Sequence, residues 1–232
     1  LIGAGYKSGE QDNSTANPFT APSARTEARG VTFFNPAAFN AAGRNVSNID
    51  RTMSEAELLL AYGPVKLQSE YWTAEYSGTR TTPGPATAFS PRINAGYVSA
   101  MWLITGESYS DFYRDSIPQK IKPRNRFATG PDNGWGAWEV GLRYSIFDGS
   151  DFSSSNPVST GQLGGSAAGV TPVVTTSTNK AKAYTAQIKW IQNVYTRTML
   201  DFVRTEFDTN VVANGQSIDH ENAINVRFQV DF

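Results

Sequence analysis

The last twelve residues constrain this chain more than any other stretch. Residues 221–232 read Glu-Asn-Ala-Ile-Asn-Val-Arg-Phe-Gln-Val-Asp-Phe, with Ile224, Val226, Phe228, Val230 and Phe232 alternating with Asn225, Arg227, Gln229 and Asp231. Successive side chains on a strand point to opposite faces, so this strand is apolar on one side and polar on the other. In a soluble sheet the apolar side would cover a core. In an outer-membrane barrel it meets lipid, and the polar side lines a wet interior. Ending on an apolar ring in register with the strand favours the second arrangement, because the ends of soluble domains commonly fray. The stretch predicts an all-β fold, an antiparallel transmembrane β-barrel.

Composition is compatible with that reading. The 232 residues are 39% hydrophobic and 12% aromatic, with no Cys, one His and a formal charge of −1. No run of about 18 apolar residues exists to form a transmembrane helix. A barrel needs only alternate apolar positions. Near-neutral charge argues against nucleic acid as a partner. Residues 1–7 read as the end of a strand rather than as a leader, as expected for a chain that starts after processing or inside a larger protein.

Alternation recurs along the chain. Strands are expected over residues 53–62 and 65–76, joined tightly at Gly63-Pro64, then over 92–105, 135–147, 182–191 and 195–205. In 92–105 both alternate sets, Tyr97-Ser99-Met101-Leu103 and Val98-Ala100-Trp102-Ile104, could face lipid. Polar stretches at residues 8–50, 77–91, 148–181 and 206–220 read as long loops. The whole of residues 1–232 is expected to be one barrel domain with about eight strands, each long enough for a tilted crossing. Counted back from a periplasmic C-terminus, the four long loops fall outside and the short turns inside, as in such barrels. One segment departs from this: 107–134 falls on the periplasmic side yet is long and basic, with Lys120, Lys122, Arg124 and Arg126 and no acid between Ser116 and Thr129.

Several blocks resemble the phosphate-selective porin O/P family: Tyr62-Gly63-Pro64-Val65-Lys66-Leu67-Gln68-Ser69-Glu70-Tyr71, Leu103-Ile104-Thr105-Gly106-Glu107, and above all Gly134-Trp135-Gly136-Ala137-Trp138-Glu139-Val140-Gly141-Leu142-Arg143-Tyr144-Ser145. The resemblance implies an outer-membrane porin in the bacterial outer membrane, built as a homotrimer of 16-stranded barrels, of which about eight strands would be half. It implies passive diffusion of inorganic, phosphate-like anions, contact with outer-membrane lipid and no cofactor. It also implies loops and a long turn folded into the lumen, and a C-terminal membrane-assembly signal at Phe228, Val230 and Phe232.

The candidate pore-lining cations are Lys120, Lys122, Arg124 and Arg126 on the turn, and Arg143, Lys189, Arg197 and Arg227 on the wall. Cations can replace an anion's hydration loosely enough to release it. Alternatively, wall charges pair across strands, with Glu139 near Arg143 and Asp201 near Arg197. The inward acids Glu55, Glu57, Glu70 and Glu139 keep open a general-diffusion porin. A closed eight-stranded barrel with a structural or adhesive role is a further alternative, since its interior would be filled by side chains. Catalysis is not expected: the one histidine, His220, lies in a polar stretch, and no catalytic or metal-binding spacing accompanies it. Trp72, Trp135, Trp190 and Tyr195 are expected in the interfacial aromatic girdle.

Overall fold

The computed structural model describes residues 1–13, 19, 22–36, 45–82, 85–114, 117–129, 134–152 and 178–231. Phe232 and the glycines Gly161, Gly164, Gly165 and Gly169 lie outside the described residues. Eight long strands make one antiparallel meander: β1 (Ile2–Gln11), β2 (Ile49–Tyr62), β3 (Val65–Thr82), β4 (Arg92–Leu103), β5 (Ala137–Asp148), β6 (Lys180–Ile191), β7 (Thr196–Ala213) and β8 (Gln216–Val230). Each pairs with its neighbours in chain order. Strands β1 and β8 are the two edges and do not pair with each other, so a closed eight-stranded barrel is not the arrangement observed.

Register aligns the two kinds of residue in rows across the sheet. Leu67, Ala100, Leu142, Ala186, Phe202 and Ile224 stand opposite one another from β3 to β8. The adjacent row, facing the other way, holds Lys66, Met101, Gly141, Gln187, Asp201 and Asn225. The first face is bare: Leu142 is 69% exposed, and Ile224 and Val226 are each 71% exposed. The second face carries the folded-back connections. At its upper end, where β5 ends and β6 begins, Phe33, Phe34, Ile49, Tyr76, Ile93, Phe152 and Phe207 form one buried cluster. At its lower end, Leu103, Tyr109, Ala137 and Ile191 form a second, with Ile121 against it.

These clusters resolve the ambiguity in β4. Val98 and Trp102 are exposed on the bare face, whereas Ser99 and Leu103 are buried on the other. The loop-bearing face is apolar only at its ends, where Ile93 and Leu103 meet the packed connections. Two apolar sets therefore coincide in one strand. The same upper packing takes Trp72 onto the loop-bearing face, which removes it from the expected girdle. Trp138 and Trp190 are stacked at the lower end of the bare face, with centroids 5.5 Å apart, and both indoles donate to the Trp135 carbonyl. Tyr195 is exposed nearby.

The expected loop at 206–220 is corrected. Strands β7 and β8 continue as a paired ribbon and turn at Asn214-Gly215, with an irregularity between Glu206 and Val211. Both turn residues have positive φ, 51° and 77°, as a type I′ hairpin requires. His220 thus sits on β8 opposite Glu206, its Nδ1 2.7 Å from the Asp219 carboxylate. Strand β3 likewise runs to Thr82 and pairs with Thr87–Phe89. Residues 8–50 include the end of β1, the start of β2, and a small hairpin of Ala24–Arg25 with Thr32–Phe34.

Gly136 and Gly215 both adopt left-handed φ, but only Gly136 is crowded: a Cβ there would lie 2.4 Å from the Ile191 carbonyl oxygen. A left-handed non-glycine residue costs about 1–2 kcal/mol. Gly215→Ala is expected to lose about that much stability, and Gly136→Ala clearly more, in denaturant unfolding in detergent. Equal losses would contradict the close packing at Gly136.

Candidate functional site

The loop-bearing face divides by height into an upper aromatic layer, a middle polar band and a lower charged pocket. The pocket is the site. Strand β5 enters it with Glu139 and β6 with Lys189, directly opposite in register. Strand β3 adds Lys66, and β7 adds Arg197. The connection after β4 turns back against the sheet: Tyr109 N–H donates to the Gly63 carbonyl, Phe127 N–H to that of Gln192, and Gly136 N–H to that of Asn125. Glu107, buried in this connection, accepts from the Arg124 N–H at 3.1 Å. That contact and the packing of Ile121 hold the basic segment beneath the sheet. Lys120 is thereby carried to the pocket, where Asp231 is 3.5 Å away and the Tyr195 ring centroid 5.7 Å.

Glu139 is the most buried charge in the group, at 1% exposure. The Tyr109 hydroxyl donates to it at 2.6 Å, and Lys189 donates to its other oxygen. Burying a carboxylate so completely is costly without such partners. Arg197 donates to Gln229 Oε1 at 3.2 Å and lies 3.9 Å from Asp231. Arg227 shares the row of Glu139, Lys189 and Met199 and is exposed. The hydrogen bond from Gln229, then Lys120 and Arg197, holds the Asp231 carboxyl below its ordinary range. The Asp231 pairings therefore persist at neutral pH and are lost as the pH falls through that lowered value. The pocket, about 170 Å³, sets Lys66, Lys120, Lys189 and Arg197 against Glu139 and Asp231 among the described residues.

The sequence candidates separate accordingly. Lys120, Lys189 and Arg197 line one cavity, with Arg227 in the row beside it. Lys122, Arg124 and Arg126 are exposed on the folded connection, and among the described residues their side chains form no ion pair. Arg143 lies apart, in the middle band. The pairings expected across strands differ from those formed. Arg143 meets Glu27 at 3.2 Å rather than Glu139, and Asp201 accepts from Gln187 at 2.7 Å rather than from Arg197. Lys66 was legible as a site residue, because it falls on the polar side of a strand. Glu27 and Tyr109 were not, because each arrives from an irregular segment.

A sheet that bares an apolar, aromatic-edged face and turns its charges toward its own folded connections has the pattern of a membrane-spanning β-sheet lining an aqueous path. The profile of one family, phosphate-selective porin O and P, matches residues 14–232. The chain belongs to that family and is an outer-membrane porin, a channel-forming protein. Among curated proteins none matches it significantly.

Breaking a buried ion pair on one side costs about 3–5 kcal/mol. Glu139→Gln, which strands Lys189, is expected to destabilise the folded protein by about 3 kcal/mol in denaturant unfolding. Tyr109→Phe, which removes one hydrogen bond to a charged group, should cost about 1–2 kcal/mol. An unchanged midpoint for Glu139→Gln would show that water, not Lys189, satisfies this carboxylate.

Proposed function

We propose that this chain forms part of the wall of a water-filled outer-membrane channel through which small inorganic anions, phosphate-like ones above all, diffuse passively. The excess of cations over carboxylates in the lower pocket carries this reading. Lysine ammoniums give point-charge contacts and arginine a planar, bidentate one. Their partial neutralisation by Glu139 and Asp231 keeps an anion from being held too tightly to leave. The bare face meets lipid, with Trp135, Trp138, Trp190 and Tyr195 at the interface. Phe228 and Val230, on that face in β8, belong with Phe232 to the assembly signal. The lower end is periplasmic, and Lys122, Arg124 and Arg126 extend the positive field at its mouth.

The open meander supplies half of a 16-stranded barrel, its edge strands β1 and β8 pairing with further strands of the complete protein, which assembles as a homotrimer. Unpaired edges within a bilayer would leave backbone groups without partners, which supports completion of this kind. A general-diffusion channel is the second reading. It is favoured by one observation: Glu57 and Glu70 stand directly opposite each other on the loop-bearing side of β2 and β3, where they would oppose anions.

The test is the zero-current potential of the intact protein in a planar bilayer under a KCl gradient, followed by phosphate titration. An anion-selective sign and block of chloride current by phosphate are expected. Lys120→Gln with Arg227→Gln should weaken the block by about tenfold, equivalent to about 1.4 kcal/mol. Neutralising Lys120, Lys122, Arg124 and Arg126 together should lower the anion preference. A cation-selective sign without block would leave general diffusion as the function.

A further inference from the structure

The middle band holds an arrangement that the lower pocket does not use. Glu27 sits at the turn of the hairpin formed by Ala24–Arg25 and Thr32–Phe34. The hairpin is fastened to the loop-bearing face at several points. Val31 N–H donates to Glu221 Oε1 at 3.1 Å, and Thr178 N–H donates to the Phe33 carbonyl at 2.7 Å. Phe33 and Phe34 pack on Phe147 with centroids 5.2 and 5.0 Å apart. Glu27 is thus delivered to the wall by a braced element.

Its carboxylate is fully engaged there. Oε1 accepts from the Ser145 hydroxyl at 2.6 Å and lies 3.2 Å from Arg143 Nε, while Oε2 accepts from the Thr185 hydroxyl at 2.9 Å. The guanidinium carbon lies over the Tyr97 ring, 3.8 Å from its centroid, and Gln68 donates to the Tyr97 hydroxyl at 2.9 Å. Ser145 and Thr185 therefore present a hydroxyl to each of the two oxygens, and the Arg143 guanidinium, whose Nε–H donates to Ser145 Oγ at 3.1 Å, sets its charge beside one of them. Cavities of about 320 and 430 Å³ lie on either side, and Glu27 and Arg143 line both.

We propose that Arg143, Ser145 and Thr185 form an oxyanion site on the permeation path, and that Glu27 is its built-in occupant and the specificity-determining residue. Two carboxylate oxygens occupy the positions that two oxygens of a phosphate or an organic carboxylate would take. A solute with that geometry can replace Glu27 donor for donor. A spherical halide cannot meet both hydroxyls and the guanidinium at once and gains less from the exchange. While Glu27 is seated, Arg143 is neutralised and adds little to anion attraction. The inference rests on the channel reading above and refines where along the channel an anion is discriminated.

The experiment compares the intact wild-type protein with Glu27→Gln, Arg143→Gln, the double substitution and Glu27→Asp in planar bilayers. Zero-current potentials in KCl are read first, then the concentrations of phosphate and of acetate that halve the chloride current. Removing one negative charge from a narrow aqueous passage should raise the chloride-to-potassium permeability ratio about threefold. It should also lower the half-blocking phosphate concentration severalfold. Arg143→Gln should abolish both gains in the double variant, and Glu27→Asp should stay near wild type. Block by phosphate and acetate alike would support an oxyanion site of general kind, and block by phosphate alone a tetrahedral one. Wild-type behaviour of Glu27→Gln, or an equal gain with and without Arg143, would overturn the proposal. The comparison is between variants. A wild-type channel of cation-selective sign would therefore sink the anion reading of the lower pocket while leaving this inference separately decidable.

Discussion

Everything in this structure follows from backbone hydrogen bonding completed between neighbouring strands. From β1 to β8 each interior strand is paired on both sides in antiparallel register over most of its length, so most of its peptide groups need no water. In hydrocarbon an unpaired peptide group is costly. Once the ladder satisfies them, side chains alone decide what each face can meet. Alternation then leaves one face bare and apolar, with Leu142, Phe202, Ile224 and Val226 exposed, and turns the other to the chain's own connections. The exposed apolar surface is the working surface of a membrane protein, whereas on a soluble monomer a continuous patch of this kind would be a liability.

The interior face is graded along its height. Its ends are apolar because connections pack there: Phe33 and Phe34 on Phe147 and Phe207 above, Tyr109 and Ile121 on Leu103 and Ile191 below. Its middle is polar, and its charges lie there and in the lower pocket. Because the connections are anchored at both ends, they can hold acids and hydroxyls at fixed places beside the wall. Glu27 and Tyr109 arrive in this way, and each meets a charged wall residue, Arg143 and Glu139. The Arg143 charge is thereby neutralised by the fold itself. A channel must bind its solute weakly enough to pass it on, and a wall of unpaired cations would not do so.

The strands were legible in the sequence wherever one face is bare and apolar and the other polar, as in residues 221–230 and 137–147. Legibility failed where a third environment intervenes. In β4 the packed loops make both faces partly apolar, and in 206–220 a polar ribbon beyond the apolar band resembles a loop. The Asn214-Gly215 dipeptide, a strong hairpin signal, would have shown the turn. For the site, the alternation marked Lys189, Arg197 and Arg227 correctly as residues of the polar face. It could not show that Glu139 pairs with Lys189, or that Arg143 pairs with a carboxylate more than a hundred residues away in sequence. Such pairings depend on register and on irregular segments, which no local period encodes.

The central claim is that the two faces of the sheet meet opposite solvents. The chain has no cysteine, so single reporters can be placed at will. Adjacent residues of β8, Val226 and Asn225, point to opposite faces. Each is replaced in turn by cysteine in the intact protein reconstituted into vesicles, and labelled with an environment-sensitive fluorophore. The account predicts that the label at position 226 is quenched by a lipid-borne quencher and shielded from aqueous iodide, with the reverse at position 225. Aqueous quenching at both positions, or lipid quenching at 225, would contradict it.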